Sequence, residues 1–433
     1  MTTPTRRAFL GGLALPVAAP FAGSSGVRLR EAGGLELPER HGTPQELAGD
    51  EDFWSAVASA FEIDRSIVNL NNGGVSPAPQ PVTAALARHL QAANQAPAYV
   101  MWRLQQPNRE AVRSKLARFL KVDAEELAFT RNASESLQIC QFGFDLERGD
   151  EVVCCDQDYP RMINTFKQRV AREGIVLRTV RIPVPCEEPE RIVAAYREAL
   201  TDRTKLMLCS HVVNLTGQVV PVKELVALGR ARGIPVLVDG AHAFANLEVD
   251  LRDLDCDYYA TSLHKWLFAP IGTGLLYVRR ERILPLWPLM ACDAKQDADI
   301  RKFEEIGTHP AAYALAVSDA LTFHERLGPA RKRARLNFLR DRWATHIARH
   351  ARVRLNTSLK PGMSNSLGNF AIEGLDPVAI AGHLFEKHRI FTTAIGHADC
   401  SGVRVSPSVY TTLEEIDRFC AAVDDIVEHG IPA

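Results

Sequence analysis

Two strand ends carry the residues best suited to chemistry. The apolar run Val236-Leu-Val ends in Asp239 and continues Gly-Ala-His242. Twenty-six residues after Asp239, the stretch Tyr259-Ala-Thr-Ser262-Leu-His264-Lys265-Trp266 sets a lysine directly behind a histidine, just past a second apolar run. Singly, each has an ordinary reading: an Asp before Gly-Ala caps helices, and a Lys is usually a solvated cation. Together they match the needs of pyridoxal phosphate. That cofactor takes an amine for its aldehyde, a carboxylate to keep its pyridinium protonated, and hydroxyl and imidazole donors for its phosphate. Ligands of open α/β sheets bind at the carboxyl ends of strands, which is where Asp239 would stand.

Positioning such groups requires a particular set of elements. From about residue 50, short apolar runs alternate with longer helical patterns, the signature of βαβ units and a mostly parallel sheet. Strands are predicted at 127–130, 151–155, 176–181, 205–210, 235–239, 258–262 and 274–278. Helices are predicted at 134–142, 160–173, 190–200 and 222–232, with apolar residues near every third or fourth position. After about residue 290 the texture changes to helices at 312–327 and 331–351 and strand-like runs near Phe370 and Val403. The expected architecture is a large α/β domain over 50–290, whose first residues could pack on the other domain, and a smaller α+β domain over 291–433.

Further segments extend the reading of the two strand ends. They are Leu70-Asn71-Asn-Gly-Gly-Val-Ser-Pro77, Phe129-Thr-Arg-Asn132-Ala133-Ser134-Glu-Ser136, Asp158-Tyr159-Pro160, Ser210-His211-Val-Val-Asn214-Leu-Thr-Gly217 and Gly402-Val-Arg404-Val-Ser406-Pro407-Ser-Val-Tyr410. Read locally, they are turns, helix caps or edge strands. Their order and spacing, together with Asp239 and Lys265, resemble the class V aminotransferases, the fold-type I family that includes cysteine desulfurases, kynureninase-like enzymes and isopenicillin N epimerase. The resemblance runs from about Phe53 to Phe419.

The resemblance implies a role for each residue. Lys265 would carry pyridoxal 5'-phosphate and remove the substrate α-proton, with Asp239 on the ring nitrogen. The amides of Ala133 and Ser134, with Ser262 and His264, would take the phosphate at a helix N-terminus. Tyr159 would lie over the ring, and Asn214 and His242 near its phenolic oxygen. Arg404 would grip the substrate carboxylate with its planar fork, and Asn71 would stand at the mouth of the site. Ile271-Gly272-Thr273-Gly274 and Glu305-Ile-Gly307-Thr308 resemble segments that reach a neighbouring subunit's phosphate, implying a homodimer with shared active sites through Thr273 or Thr308. One departure is local: the family's usual Tyr-Asn-Thr after the Arg strand is Tyr410-Thr411-Thr412 here.

The Asp-Gly-Ala-His strand end, the Arg-Val-Ser-Pro segment and Lys265-Trp-Leu-Phe-Ala-Pro-Ile-Gly-Thr-Gly274 look most like the isopenicillin N epimerase-like branch. Epimerisation, transamination and elimination all start from the same α-proton loss, so the resemblance leaves the outcome open. A carbon–sulfur lyase or desulfurase, or an exported binding protein that keeps the fold, is the alternative. A desulfurase needs a Cys nucleophile on a mobile loop. Cys400 stands only four residues before Arg404, too close for such a loop.

Composition narrows the partners. With 51 Lys+Arg against 52 Asp+Glu, the net charge of -1 gives no broad case for nucleic acid, and a small amino-acid substrate is expected. The nine cysteines include no C-x-x-C pair, so no metal site is expected. Thr5-Arg6-Arg7 precedes the mostly apolar run from Phe9 to Phe21 and resembles a twin-arginine export signal over about residues 1–30. That implies export machinery as a partner and a periplasmic location, with anchoring to the inner membrane if the signal is kept.

Overall fold

The computed structural model describes residue 38 and residues 40–431. The twin-arginine expectation falls outside these residues. In chain order the strands begin with β1 (Val68–Asn69). Seven more follow: β2 (Leu127–Thr130), β3 (Glu151–Cys155), β4 (Val176–Val180), β5 (Thr204–Ser210), β6 (Val236–Asp239), β7 (Tyr258–Ser262) and β8 (Gly274–Val278). These seven form one sheet in the order β2-β8-β7-β6-β5-β3-β4. The β3–β4, β3–β5, β5–β6 and β6–β7 pairs are parallel, and β8 runs antiparallel to both its neighbours.

Both faces of this sheet are covered, which is why its strands read as unbroken apolar runs. Side chains alternate between two cores: Val153, Met207, Val238 and Tyr259 point into one, and Val152, Leu208, Leu237 and Tyr258 into the other. Helices on the faces are amphipathic; Pro160–Glu173, for instance, buries Met162 and Phe166 one turn apart. The parallel order brings the carboxyl ends at Cys155, Ser210, Asp239 and Ser262 to one edge. Thr130, on a strand with the same direction as β7, joins them.

The second sheet is antiparallel. Its strands are β9 (Val353–Leu355), β10 (Gly368–Ile372), β12 (Thr393–Ile395) and β13 (Gly402–Val405), in the order β12-β13-β10-β9, while β11 (Ile390–Phe391) pairs in parallel with β1. Helices Pro329–Ile347, Pro377–His388 and Leu413–His429 pack a separate core around Trp343, Phe370, Phe419 and Val423. Val68 and Leu70 belong to this core. Backbone bonds Ser406 N–H to Leu70 O (2.7 Å) and Asn72 N–H to Ser406 O (3.1 Å) then fasten the segment after β1 alongside β13.

Several elements differ from the sequence reading. The helix expected at 331–351 spans Pro329–Ile347, because Pro at its first position starts it early. Helices Gln80–Gln95 and Gln106–Leu120 went unpredicted; both are rich in polar residues, which weakens the apolar period. Among the described residues, no helix is long and apolar enough to cross a membrane.

Candidate active site

Lys265 lies in the turn between β7 and β8. The residues behind it, Trp266, Leu267, Phe268 and Ala269, are wholly buried and act as its anchor. Bonds from Leu263 N–H to Thr273 O (2.9 Å), Ala269 N–H to Leu263 O (3.2 Å) and Ser76 N–H to His264 O (3.0 Å) hold the turn, and the buried Lys332 amine donates to Trp266 O. Lys265 Nζ stands 3.0 Å from His242 Nε2. Burial pushes its pKa down to about 8; the Asp239 carboxylate pulls the other way, and the Arg404 cation adds to the drop. About a tenth of the amine is therefore neutral at pH 7, far more than for an ordinary lysine, as a nucleophilic or basic amine requires.

Asp239 is buried at the end of β6, where Oδ1 accepts the Ala241 N–H at 2.9 Å. Burial raises its pKa, while the Ala241 bond and Lys265 favour the ionised form. Gly240 is required at the next position because any Cβ there would overlap the Tyr259 ring. That ring's hydroxyl meets His211 Nδ1 at 3.2 Å, and burial lowers the His211 pKa to about 4, so His211 is neutral.

Sequence reasoning missed Asp158, which it treated only as the residue before Tyr159. Asp158 is buried and accepts from Cys155 N–H (2.8 Å), Ser210 N–H (2.9 Å) and the Ser210 hydroxyl (2.7 Å). It thus ties the carboxyl ends of β3 and β5. Burial raises its pKa to about 7, and the Asp239 charge adds to the rise. A carboxylate three residues past an apolar strand was the available signal.

The phosphate-binding expectation places several groups around the N-terminus of helix Ala133–Gly143. Ala133 N–H donates to Ser262 Oγ (2.9 Å), linking the helix to the end of β7. Glu135 N–H is capped by Asn132 Oδ1 (2.8 Å). The Ser134 amide is the one left in this first turn without a hydrogen-bond partner among the described residues. His264 is half-buried with Nδ1 2.9 Å from Thr273 O, and burial lowers its pKa. The Thr273 hydroxyl is committed to Pro270 O at 2.7 Å. Thr308 is exposed.

Arg404, on β13, completes the cleft from the other sheet. It is buried, with Nη2 donating to Asn71 Oδ1 (2.7 Å) and Nη1 to Asn214 O (3.0 Å). No carboxylate among the described residues pairs with it. Burial lowers its pKa to about 10, and Tyr159, half-buried at the start of helix Pro160–Glu173, acts on its charge. Gly217 allows the Asn214 turn: its φ is +78°, and a Cβ would collide with Leu367 O.

These residues fit pyridoxal phosphate. Two buried atoms, Asn214 Oδ1 and His242 Nδ1, have no hydrogen-bond partner and lie on residues around the Lys265 amine and Arg404. A poised amine, a buried carboxylate and an uncapped amide at a helix N-terminus are the donor set that the cofactor's aldehyde, pyridinium and phosphate take up.

A lysine at the carboxyl edge of a mostly parallel seven-stranded sheet, with a buried carboxylate on the neighbouring strand, is the arrangement of a fold-type I pyridoxal-phosphate enzyme. The family model for aminotransferase class-V matches residues 68–419, and the chain belongs to that family. It is 31% identical over 397 residues to the isopenicillin N epimerase of Streptomyces clavuligerus, spanning 86% of this chain and 98% of the relative. A cysteine desulfurase of Synechococcus elongatus is 28% identical over 387 residues, 83% of this chain and 60% of the relative. Among solved structures, a C-DES mutant with glycine covalently linked to its PLP cofactor superposes with a TM-score of 0.74 at 25% identity, covering 83% of this chain and 97% of that one.

Proposed function

We propose that the protein acts on an amino acid or amino-acid derivative in the manner of the isopenicillin N epimerase-like branch. Its substrate carboxylate docks on Arg404, and Lys265 removes the α-proton. The observation that carries this reading is the buried Arg404 cation, which has only neutral partners and acts on the Lys265 amine. A buried unpaired charge is costly, and a ligand carboxylate offsets that cost.

Pyridoxal phosphate, when bound, supplies an electron sink for the pair left by proton loss. The chain's own residues do the rest. Lys265 Nζ takes the α-proton in its neutral form, and His242 Nε2, held neutral by burial, accepts a hydrogen bond from the ammonium that results. Asp239, whose ionised form the Ala241 N–H and Lys265 favour, would hold the proton of the ring nitrogen. Asn71 and the Asn214 carbonyl fix the guanidinium plane, so the α-carbon is presented in one orientation.

A desulfurase outcome is the second reading, supported by the cysteine desulfurase among the relatives, and the thiols weigh against it. Eight of the nine cysteines are buried, and burial pushes the Cys400 thiol up to about 12, so it is not a thiolate nucleophile at neutral pH. The test is an L- and D-amino-acid panel in D2O, reading α-deuterium incorporation together with inversion, oxo-acid and sulfide products. Lys265→Ala is expected to lose both exchange and the borohydride-sensitive visible absorbance. No exchange with any amino acid by cofactor-loaded wild type would overturn the reading.

The proposal extends to an exported homodimer. Thr5-Arg6-Arg7 before an apolar run supports twin-arginine export, a route that carries folded proteins and so permits cofactor loading before transport. Ile271, strongly exposed beside Thr273, and a cavity of about 270 Å³ lined by Ile271, Thr273, Glu135 and His309 support a second subunit at the phosphate end. Fractionation of an Arg6→Lys/Arg7→Lys variant and light scattering of the purified protein test the two points.

A further inference from the structure

Two histidines outside the active cleft each bury one ring nitrogen without a partner. His383 and His388 lie on helix Pro377–His388, their ring centroids 5.8 Å apart and tilted by 57°. The Nε2 atoms of both are shielded from solvent and make no hydrogen bond. Asp425, on the adjoining helix Leu413–His429, offers a carboxylate oxygen so placed that all three ligand atoms lie within 4.8 Å of one another.

We propose that His383, His388 and Asp425 form a binding site for a zinc-class divalent cation that clamps helix Pro377–His388 to the C-terminal helix. Two imidazoles and one carboxylate suit zinc, nickel or copper ions rather than magnesium or calcium, which prefer all-oxygen sets. Metal–ligand bonds of about 2.0–2.2 Å put tetrahedral ligand atoms roughly 3.3 Å apart, so a small closure of these side chains completes the geometry. An ion bound through the two Nε2 atoms would give both orphaned nitrogens a partner at once.

The surrounding charges permit it. Asp425 faces Lys387 and His429. Its two oxygens now contact Lys387 Nζ and His429 Nδ1, each at 3.1 Å. Both contacts are partly exposed ion pairs, which contribute little and are readily exchanged.

A second cluster, at the preceding residue of helix Leu413–His429, provides the control. Asp424 accepts from His346 Nε2 at 2.8 Å and His350 Nε2 at 2.7 Å, so those imidazoles are already satisfied. The sequence reading looked for cysteine spacings and expected no metal. This cluster joins residues about forty apart, through the packing of two helices, and carries no sequence motif.

The experiment is a Zn²⁺ titration of tag-free, cofactor-loaded protein by calorimetry with a chelator competitor, paired with thermal unfolding. One equivalent bound at micromolar or lower concentration, with a higher Tm that a chelator reverses, is expected. His383→Gln and His388→Gln should each weaken that binding by more than the roughly 10- to 100-fold that loss of a supporting hydrogen bond costs. His346→Gln should leave it unchanged. Folding of each variant is checked by circular dichroism and retained visible absorbance. Absence of stoichiometric binding, or binding that survives both glutamine variants, would overturn the site.

Discussion

Arg404→Ala tests the substrate end of the cleft. A guanidinium has five N–H donors. Two are committed, one to Asn71 Oδ1 and one to Asn214 O, and three remain, including the unpartnered Nε–H. A carboxylate can therefore still be held by two parallel bonds. Hydrogen bonds to charged groups contribute about 1.5–3 kcal/mol each, so losing two costs about 3–5 kcal/mol after the Asn71 and Asn214 acceptors are rehydrated. That corresponds to roughly a hundred- to several-thousandfold in kcat/KM. The assay compares the preferred amino acid with its decarboxylated amine on wild type and variant. Wild type should favour the amino acid by that factor, and the variant should lose the preference while keeping the visible absorbance of bound cofactor. Arg404→Lys should fall between, because an ammonium keeps the charge but not the fork. An unchanged amino-acid preference in Arg404→Ala, or an equal loss on both substrates, would refute the assignment.

Other consequences concern protons and packing. The Lys265 amine, pushed down to about 8, is protonated below that pH and free above it, so the rate at which apo-protein takes up pyridoxal phosphate should rise with pH through about 8 and level off; a flat stopped-flow profile from pH 6.5 to 9.5 would contradict this. Because the Arg404 charge contributes to that depression, Arg404→Ala should shift the profile to higher pH. Asp158→Ala leaves three buried donors unsatisfied and should cost about 3 kcal/mol in denaturant unfolding, with a stability within 1 kcal/mol of wild type as the outcome that would count against the tie between β3 and β5. Gly240→Ala drives a Cβ into the Tyr259 ring and should destabilise by about 1–3 kcal/mol while weakening cofactor retention on dialysis; unchanged retention would separate Gly240 from the placement of Asp239.

Much of the large sheet was legible because its strands are buried on both faces. Strands such as β3 and β7 are buried along their whole length, so each appears as an apolar run with a polar residue where it ends. Asp239, Ser262 and Lys265 stand at or just past such ends, and their chemistry could be read locally. The helices Gln80–Gln95 and Gln106–Leu120 were not legible in the same way, since their apolar faces are narrow and interrupted.

What the amino-acid order determined by itself was therefore local: which runs are strands and helices, and which end in an amine or a carboxylate. Side-chain periodicity encodes the face to be buried, and strand ends follow from where that periodicity stops. The meeting of Arg404 with Asn71 and Asn214 was decided only in three dimensions, where the β1–β11 pair and the bonds between Ser406 and Leu70 carry distant segments to the edge of the large sheet. The same holds for Asp158 between two strands and for His383 and His388 beside Asp425. Such meetings depend on the summed packing of two separate cores, and no short stretch of sequence carries that sum.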